Sequence, residues 1–207
     1  PRPMSDTPID VFIDLPSFPG PVQAGRLWSH FRKGRESASF EYNKEWLANP
    51  HRFALEPLLP LADGTFHTNP GQSVFGAIGD STPDRWGRIL MRRAELARAR
   101  TANESPHTLS ELDYLLRVND EARQGALRFS QDGGQSFCAP PGSTPIPPLV
   151  NLSRLLHAAD HFCRDDENAE DLRLLLAPGS SLGGARPKAS VKDKKGNLCI
   201  AKFPRYD

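Results

Sequence analysis

The sequence predicts an α+β protein: a mainly antiparallel N-terminal unit with helices, then the first elements of a second unit. Three observations predict it. Short alternating segments over residues 9–42, separated by turn residues, read as antiparallel strands. Apolar residues recur at helical spacing over 86–97 and again over 152–162. A polar, glycine- and proline-rich stretch at 131–148 separates the two halves.

In chain order, residues 9–15 read as a strand stopped by Pro16, and 17–21 as a turn. Residues 23–31 and 37–42 are two strands joined near Lys33-Gly34-Arg35, a hairpin. In the first arm Leu27, Ser29 and Phe31 alternate with Trp28, His30 and Arg32. In the second, Ala38, Phe40 and Tyr42 alternate with Ser37, Ser39 and Glu41. Asn43 caps a short helix that ends before Pro50. An extended apolar segment follows at 51–60, then a short strand at 64–68. The next helix has a marked start: Thr82 as N-cap, Pro83 at the first helical position, Asp84 against the dipole. It runs to about Arg100, with Trp86, Ile89, Leu90, Arg93, Ala94 and Ala97 inward. Arg85, Arg88, Arg92, Arg98 and Arg100 crowd the rest. They read as a solvated face with ion pairs or as a face for phosphate or DNA. Thr108-Leu-Ser-Glu111 matches a capping box, and 125–129 is a strand. Beyond the linker, 151–164 is an amphipathic helix on Leu152, Leu155, Leu156, Ala159 and Phe162. A second helix at 168–176 is broken by Pro178-Gly179. The expected division is a unit over 9–130, a linker at 131–148 and a second unit over 151–207.

Composition narrows the function classes. Of 207 residues, 38% are apolar and 25% charged, ordinary values for a globular chain. The net charge of +1 gives no global electrostatic case for nucleic acid or membrane. No apolar run approaches the ~20 residues that span a bilayer, and residues 1–8 carry no secretion-signal core. Cys138, Cys163 and Cys199 are odd in number and widely spaced, which fits reduced thiols in a cytoplasm. His157 and His161 are one helical turn apart but have no third ligand, so no metal site is assigned. No G-x-S-x-G supports a hydrolase.

The chemistry-bearing stretch is Gly179-Ser-Ser-Leu-Gly-Gly-Ala-Arg-Pro-Lys188, followed by a strand at 189–192 and another at 197–203. Adjacent glycines let a polyanion approach main-chain N–H groups. The second strand alternates, with Leu198, Ile200 and Lys202 on one face. A glycine-rich turn leading into such a hairpin is how a protein kinase N-lobe holds ATP. It is not a Walker loop, because Ala185 stands where that loop needs lysine, and it is not G-x-G-x-x-G, because Gly183 and Gly184 are adjacent. On spacing alone, a flexible loop before a hairpin serves as well. Lys202 on that basis is equally an edge lysine that blocks strand pairing.

The residues themselves go further. Ser-Ser-Leu-Gly-Gly-Ala-Arg-Pro-Lys188 with Ile200-Ala-Lys-Phe-Pro204 resembles the ATP-loop and strand-lysine signature of HipA-type serine/threonine kinases, the toxins of bacterial toxin–antitoxin pairs. Phe75-Gly-Ala-Ile-Gly-Asp-Ser-Thr-Pro-Asp-Arg-Trp-Gly-Arg88, Gly34-Arg-Glu-Ser-Ala-Ser-Phe-Glu-Tyr42 and Gln124-Gly-Ala-Leu-Arg-Phe129 are similar to the N-terminal region of that family, in the same order. The resemblance implies a kinase N-lobe beginning in 151–207, with ATP and magnesium as cofactors. Gly183, Gly184, Ala185, Arg186, Pro187 and Lys188 would wrap the phosphates, and Lys202 would pair with the α/β-phosphates. For Arg186 a solvated side chain is an equal reading. Ser181 matches the autophosphorylated serine, with Ser180 as its rival; both otherwise read as turn serines.

The family's catalytic and magnesium-binding residues follow the strand lysine, so the resemblance assigns none here. The chain reads as the N-terminal part of such a kinase and is expected to be inactive alone. Implied partners are a helix-turn-helix antitoxin, a protein substrate such as an aminoacyl-tRNA synthetase, and DNA only through the antitoxin, with no membrane. The alternative reading is a non-catalytic module that binds an antitoxin or a separate kinase half.

Overall fold

The computed structural model describes residues 8–137, 146–179 and 184–204. In chain order the elements are β1 (Ile9–Ile13), β2 (Val22–Arg32), β3 (Arg35–Tyr42), α1 (Lys44–Ala48), β4 (Thr65–His67), α2 (Gly76–Gly79), α3 (Arg85–Ala102), α4 (Glu111–Arg117), β5 (Leu127–Ser130), α5 (Leu152–Cys163), α6 (Ala169–Gly179), β6 (Lys188–Lys192) and β7 (Leu198–Lys202). The α+β class is as expected. These elements fall into two packed units.

The first unit is built on an antiparallel five-stranded sheet in the order β4-β3-β2-β1-β5. Its central hairpin turns through two residues, Lys33 (φ 50°) and Gly34 (φ 75°). Positive φ at both positions is the turn geometry that matches the twist of the flanking strands, and glycine adopts it at little cost. Register pairs Leu27 with Phe40 and Arg32 with Arg35. β1 lies between β2 and β5, so all five of its residues are buried. Asp10 there keeps its carboxylate satisfied by Gln23 (2.6 Å) and Arg26 (3.0 Å). Asn43 caps α1, its side chain accepting from the Glu45 N–H. The apolar segment after α1 forms turns rather than a strand. Leu59 there is fully buried, and its carbonyl accepts from the Tyr42 hydroxyl at 2.7 Å.

The second unit packs α3, α5 and α6 with the β6–β7 hairpin. Its core joins Trp86 and Leu90 of α3 to Leu155, Ala159 and Phe162 of α5. Leu172 and Leu175 of α6, Ala189 and Val191 of β6, and Phe203 complete it. A smaller cluster sets Met91 against Tyr114 and Val118.

The packing divides differently from the sequence expectation of one boundary at 131–148. Residues 82–109 and 113–124 belong with the residues after 145, whereas 125–137 belong with the sheet. The reason is complementarity. The Trp86–Leu90 stripe of α3 finds its apolar partners on α5, α6 and β6, while β5 completes its hydrogen bonds on β1.

Three local expectations also shift. α3 is capped by Asp84, not Thr82, and starts at Arg85. The Thr82 hydroxyl instead accepts from Arg88 (3.2 Å), which also donates to the Pro83 carbonyl (2.8 Å). α4 starts at Glu111, and its first two N–H groups donate to the Glu36 carboxylate of β3. α6 continues through Pro178 to Gly179. Proline forfeits one helical hydrogen bond. Gly179 then lies tight against Leu90 and Trp86, where an added Cβ would sit 2.7 Å from the leucine.

Candidate functional site

The site is assembled on the first turn of α3. Asp84 stands at the N-cap and presents both carboxylate oxygens. One accepts from its own helix, at the Arg85 N–H (2.6 Å). The other accepts from the backbone N–H of Gly184, a hundred residues further along the chain. Two residues on, the Trp86 N–H donates back to the Gly184 carbonyl (3.0 Å). The Trp86 indole N–H, fully buried, donates to the Lys188 carbonyl (2.9 Å). Its ring packs edge-on against Phe162 at 5.0 Å. The described end of the glycine-rich stretch is thus held to α3 at three points. Gly184 has φ +82°, and the Lys188 ammonium lies 3.1 Å from where a Cβ would be. Glycine serves both needs, the left-handed backbone and the close approach.

The hairpin supplies the charges. Lys188 opens β6 and lies directly across from Lys202 of β7. The two strands share their facing: Ala189, Val191 and Ala201 turn into the core, and Lys188, Ser190, Ile200 and Lys202 turn to the other side. That face of β7 is open, with Leu198 49% and Ile200 54% exposed. Lys188 is only 8% exposed. Burial pushes its ammonium pKa down, Asp84 acts against that shift, and Lys202 adds to it. The Gly184 and Arg85 N–H groups, in that order, hold the Asp84 carboxyl below the usual carboxylate range, with Lys188 and Arg88 adding to them.

Of the residues expected from sequence, the structure brings Gly184, Lys188 and Lys202 together. Ala185 and Arg186 are exposed beside them, and Pro187 is buried, its carbonyl accepting from the Phe203 N–H (2.9 Å). Ser180, Ser181 and Gly183 lie outside the described residues. Asp84 and Trp86 were given no site role by the sequence. Their one signal is membership of the Phe75–Arg88 run, whose pairing with the loop is not visible in one dimension. The α3 arginines are divided: Arg85, Arg92 and Arg100 are exposed, Arg88 lies over the Tyr114 ring at 4.6 Å, and Arg98 pairs with Glu95 and Glu104.

The arrangement offers two ammonium groups on one hairpin face, an exposed apolar strip beside them, and a glycine-mediated turn fixed to a helix. It can hold an anion attached to an apolar or aromatic group. Among the described residues no group of three carboxylate, imidazole or thiol side chains comes together as metal ligands, so no magnesium position is assigned. Cys163 and Cys199 are exposed, and neither is in a disulfide. No helix among the described residues is long and apolar enough to cross a membrane.

Comparison with curated proteins gives no match. The family model described as HipA N-terminal domain matches residues 20–130. The matched span takes in the whole β2–β3 hairpin, α3 and the whole of β5, and ends before the glycine-rich stretch and Lys202. It covers more than half of the 207 residues, and on that ground the chain belongs to the HipA family.

Proposed function

We propose that the chain is the N-terminal part of a HipA-family protein serine/threonine kinase toxin of a toxin–antitoxin pair, acting in the cytoplasm. In this reading Gly184–Lys188 and Lys202 bind ATP. The whole protein transfers the γ-phosphoryl group to a serine hydroxyl of a protein substrate, such as an aminoacyl-tRNA synthetase, and releases ADP. A helix-turn-helix antitoxin is its partner, and DNA is reached through that partner. Autophosphorylation falls on Ser181, or on the adjacent Ser180, and phosphopeptide mapping distinguishes the two.

The observation that carries the reading is the pairing of Lys188 with Lys202 across the hairpin, next to a positive-φ Gly184 anchored on α3. Two cations at one end of an apolar strip suit a nucleotide, which joins a polyanion to a stackable base. Gly184 leaves room beside the Lys188 ammonium that any larger residue would take. Magnesium, when bound with the nucleotide, neutralises phosphate charge.

The test is labelling of the chain with an acyl-phosphate derivative of ATP, which acylates lysines lying beside bound phosphates. Lys188 or Lys202 is expected to be modified ahead of the exposed Lys33, Lys44, Lys194 and Lys195, and excess ATP to suppress it. Even modification of all these lysines, unaffected by ATP, overturns the reading.

A further inference from the structure

We infer that Asp84 is a positioning residue that latches Gly184, the described end of the glycine-rich stretch, to helix α3, and that ligand binding at Lys188 and Lys202 depends on this latch. The inference rests on the nucleotide reading above for the identity of the ligand, but the latch itself does not.

A helix N-cap needs one side-chain oxygen. Asp84 uses one for that purpose, at Arg85, and spends its second on Gly184. The same residue is then held from its carbonyl side by the Trp86 N–H. Both polar ends of the loop's last glycine are therefore fixed by residues two apart on one rigid helix of 18 residues. Further along, the Trp86 indole fixes the Lys188 carbonyl where the loop becomes β6. The ammonium of Lys188 lies 3.1 Å from where a Cβ on Gly184 would be. A carboxylate at position 84 favours the charged form of this partly desolvated lysine as well. Remove the carboxylate, and Gly184 loses a charge-assisted bond while Lys188 loses its counter-charge. The loop end is then free to leave the geometry in which both lysines face one ligand.

A helix cap alone predicts something different. Serine caps as well as aspartate, so Asp84→Ser leaves α3 intact. Its single oxygen, on a shorter arm, cannot serve both Arg85 and Gly184. This substitution separates capping from latching.

The experiment measures amide hydrogen exchange at Gly184, at single-residue resolution, in the wild-type chain, Asp84→Ser and Asp84→Ala. It is run beside labelling by the acyl-phosphate ATP derivative, with thermal unfolding as the control for fold. Asp84→Ser is expected to unfold at a temperature close to wild type and to exchange at Gly184 at least about tenfold faster, since a hydrogen bond to a charged group is among the stronger ones. ATP-suppressible labelling of Lys188 and Lys202 should fall roughly fivefold or more, as the loop must then be ordered at the ligand's expense. Unchanged exchange at Gly184 in Asp84→Ser overturns the latch, whatever the labelling shows. Faster exchange with increased labelling overturns the positioning role and makes Asp84 a competing anion. If the wild-type chain shows no ATP-suppressible labelling, the nucleotide reading and the ligand dependence both fail, and the exchange data still decide the latch.

Discussion

Glu95 is the strongest test of how the second unit is held together. It lies mid-helix on α3 with its side chain 3% exposed. Its carboxylate accepts from Arg98 (2.8 Å), from the His107 backbone N–H (3.2 Å) and from Arg117 of α4 (3.3 Å). Arg98, before the opposing effect of burial, then His107 and Arg117, bring its pKa from 4.5 to about 2. A carboxyl whose folded pKa is depressed adds stability above its unfolded pKa and loses it as the pH falls through the folded one. The window therefore opens below about pH 4.5 and closes near pH 2. At about 1.4 kcal/mol for each tenfold change in proton affinity, the ceiling is roughly 3 kcal/mol. Arg98 is half exposed, and solvent screening brings the expected contribution to about 1.5–3 kcal/mol. The perturbation is Glu95→Gln, which keeps shape and removes the charge. Urea unfolding followed by near-UV circular dichroism, at pH 7 and stepwise down to pH 2.5, gives the difference between variant and wild type. Other carboxylates titrate in both proteins and cancel. The gap is expected to be largest at pH 7 and to shrink as the pH falls below 4.5. A gap that stays constant over this range refutes the argument, because burial without charge would then account for Glu95.

Two further substitutions probe the units separately. Trp86→Phe removes the indole donor to the Lys188 carbonyl and leaves a void beside Phe162; a loss of about 2–4 kcal/mol is expected, and an unchanged melting temperature of the second unit argues against it. Gly25→Ala puts a Cβ 2.2 Å from the Glu41 carbonyl oxygen and 2.4 Å from the Phe40 ring; the β2–β3 pairing must open, costing more than about 3 kcal/mol, and retained amide protection in β2 and β3 contradicts this.

What the sequence by itself determined is local. The β2–β3 hairpin, the Asn43 cap, the strand faces of β7, and the apolar stripe of α5 on Leu155, Ala159 and Phe162 (though not Leu156, which is exposed) depend on residues within a few positions of one another. Propensity, alternation and turn chemistry act over that range. Gly34 and Lys33 specify their turn without help from the rest of the chain. The family signature is legible for the same reason, since each motif is a contiguous run.

Tertiary structure decided everything that depends on which distant group arrives at a given side chain. Thr82-Pro83 is a sound helix start read alone. Arg88 takes the Thr82 hydroxyl and Gly184 reaches the Asp84 carboxylate, so the cap moves two residues. Glu95 lies outside the inward stripe that the sequence marks on α3, and is buried where Arg98, Arg117 and the His107 backbone converge on it. The first N–H groups of α4 find Glu36, 75 residues earlier in the chain. Burial, charge pairing and hydrogen-bond satisfaction are properties of neighbours in space. For Asp84, the neighbour that gives it a role beyond capping is a hundred residues away.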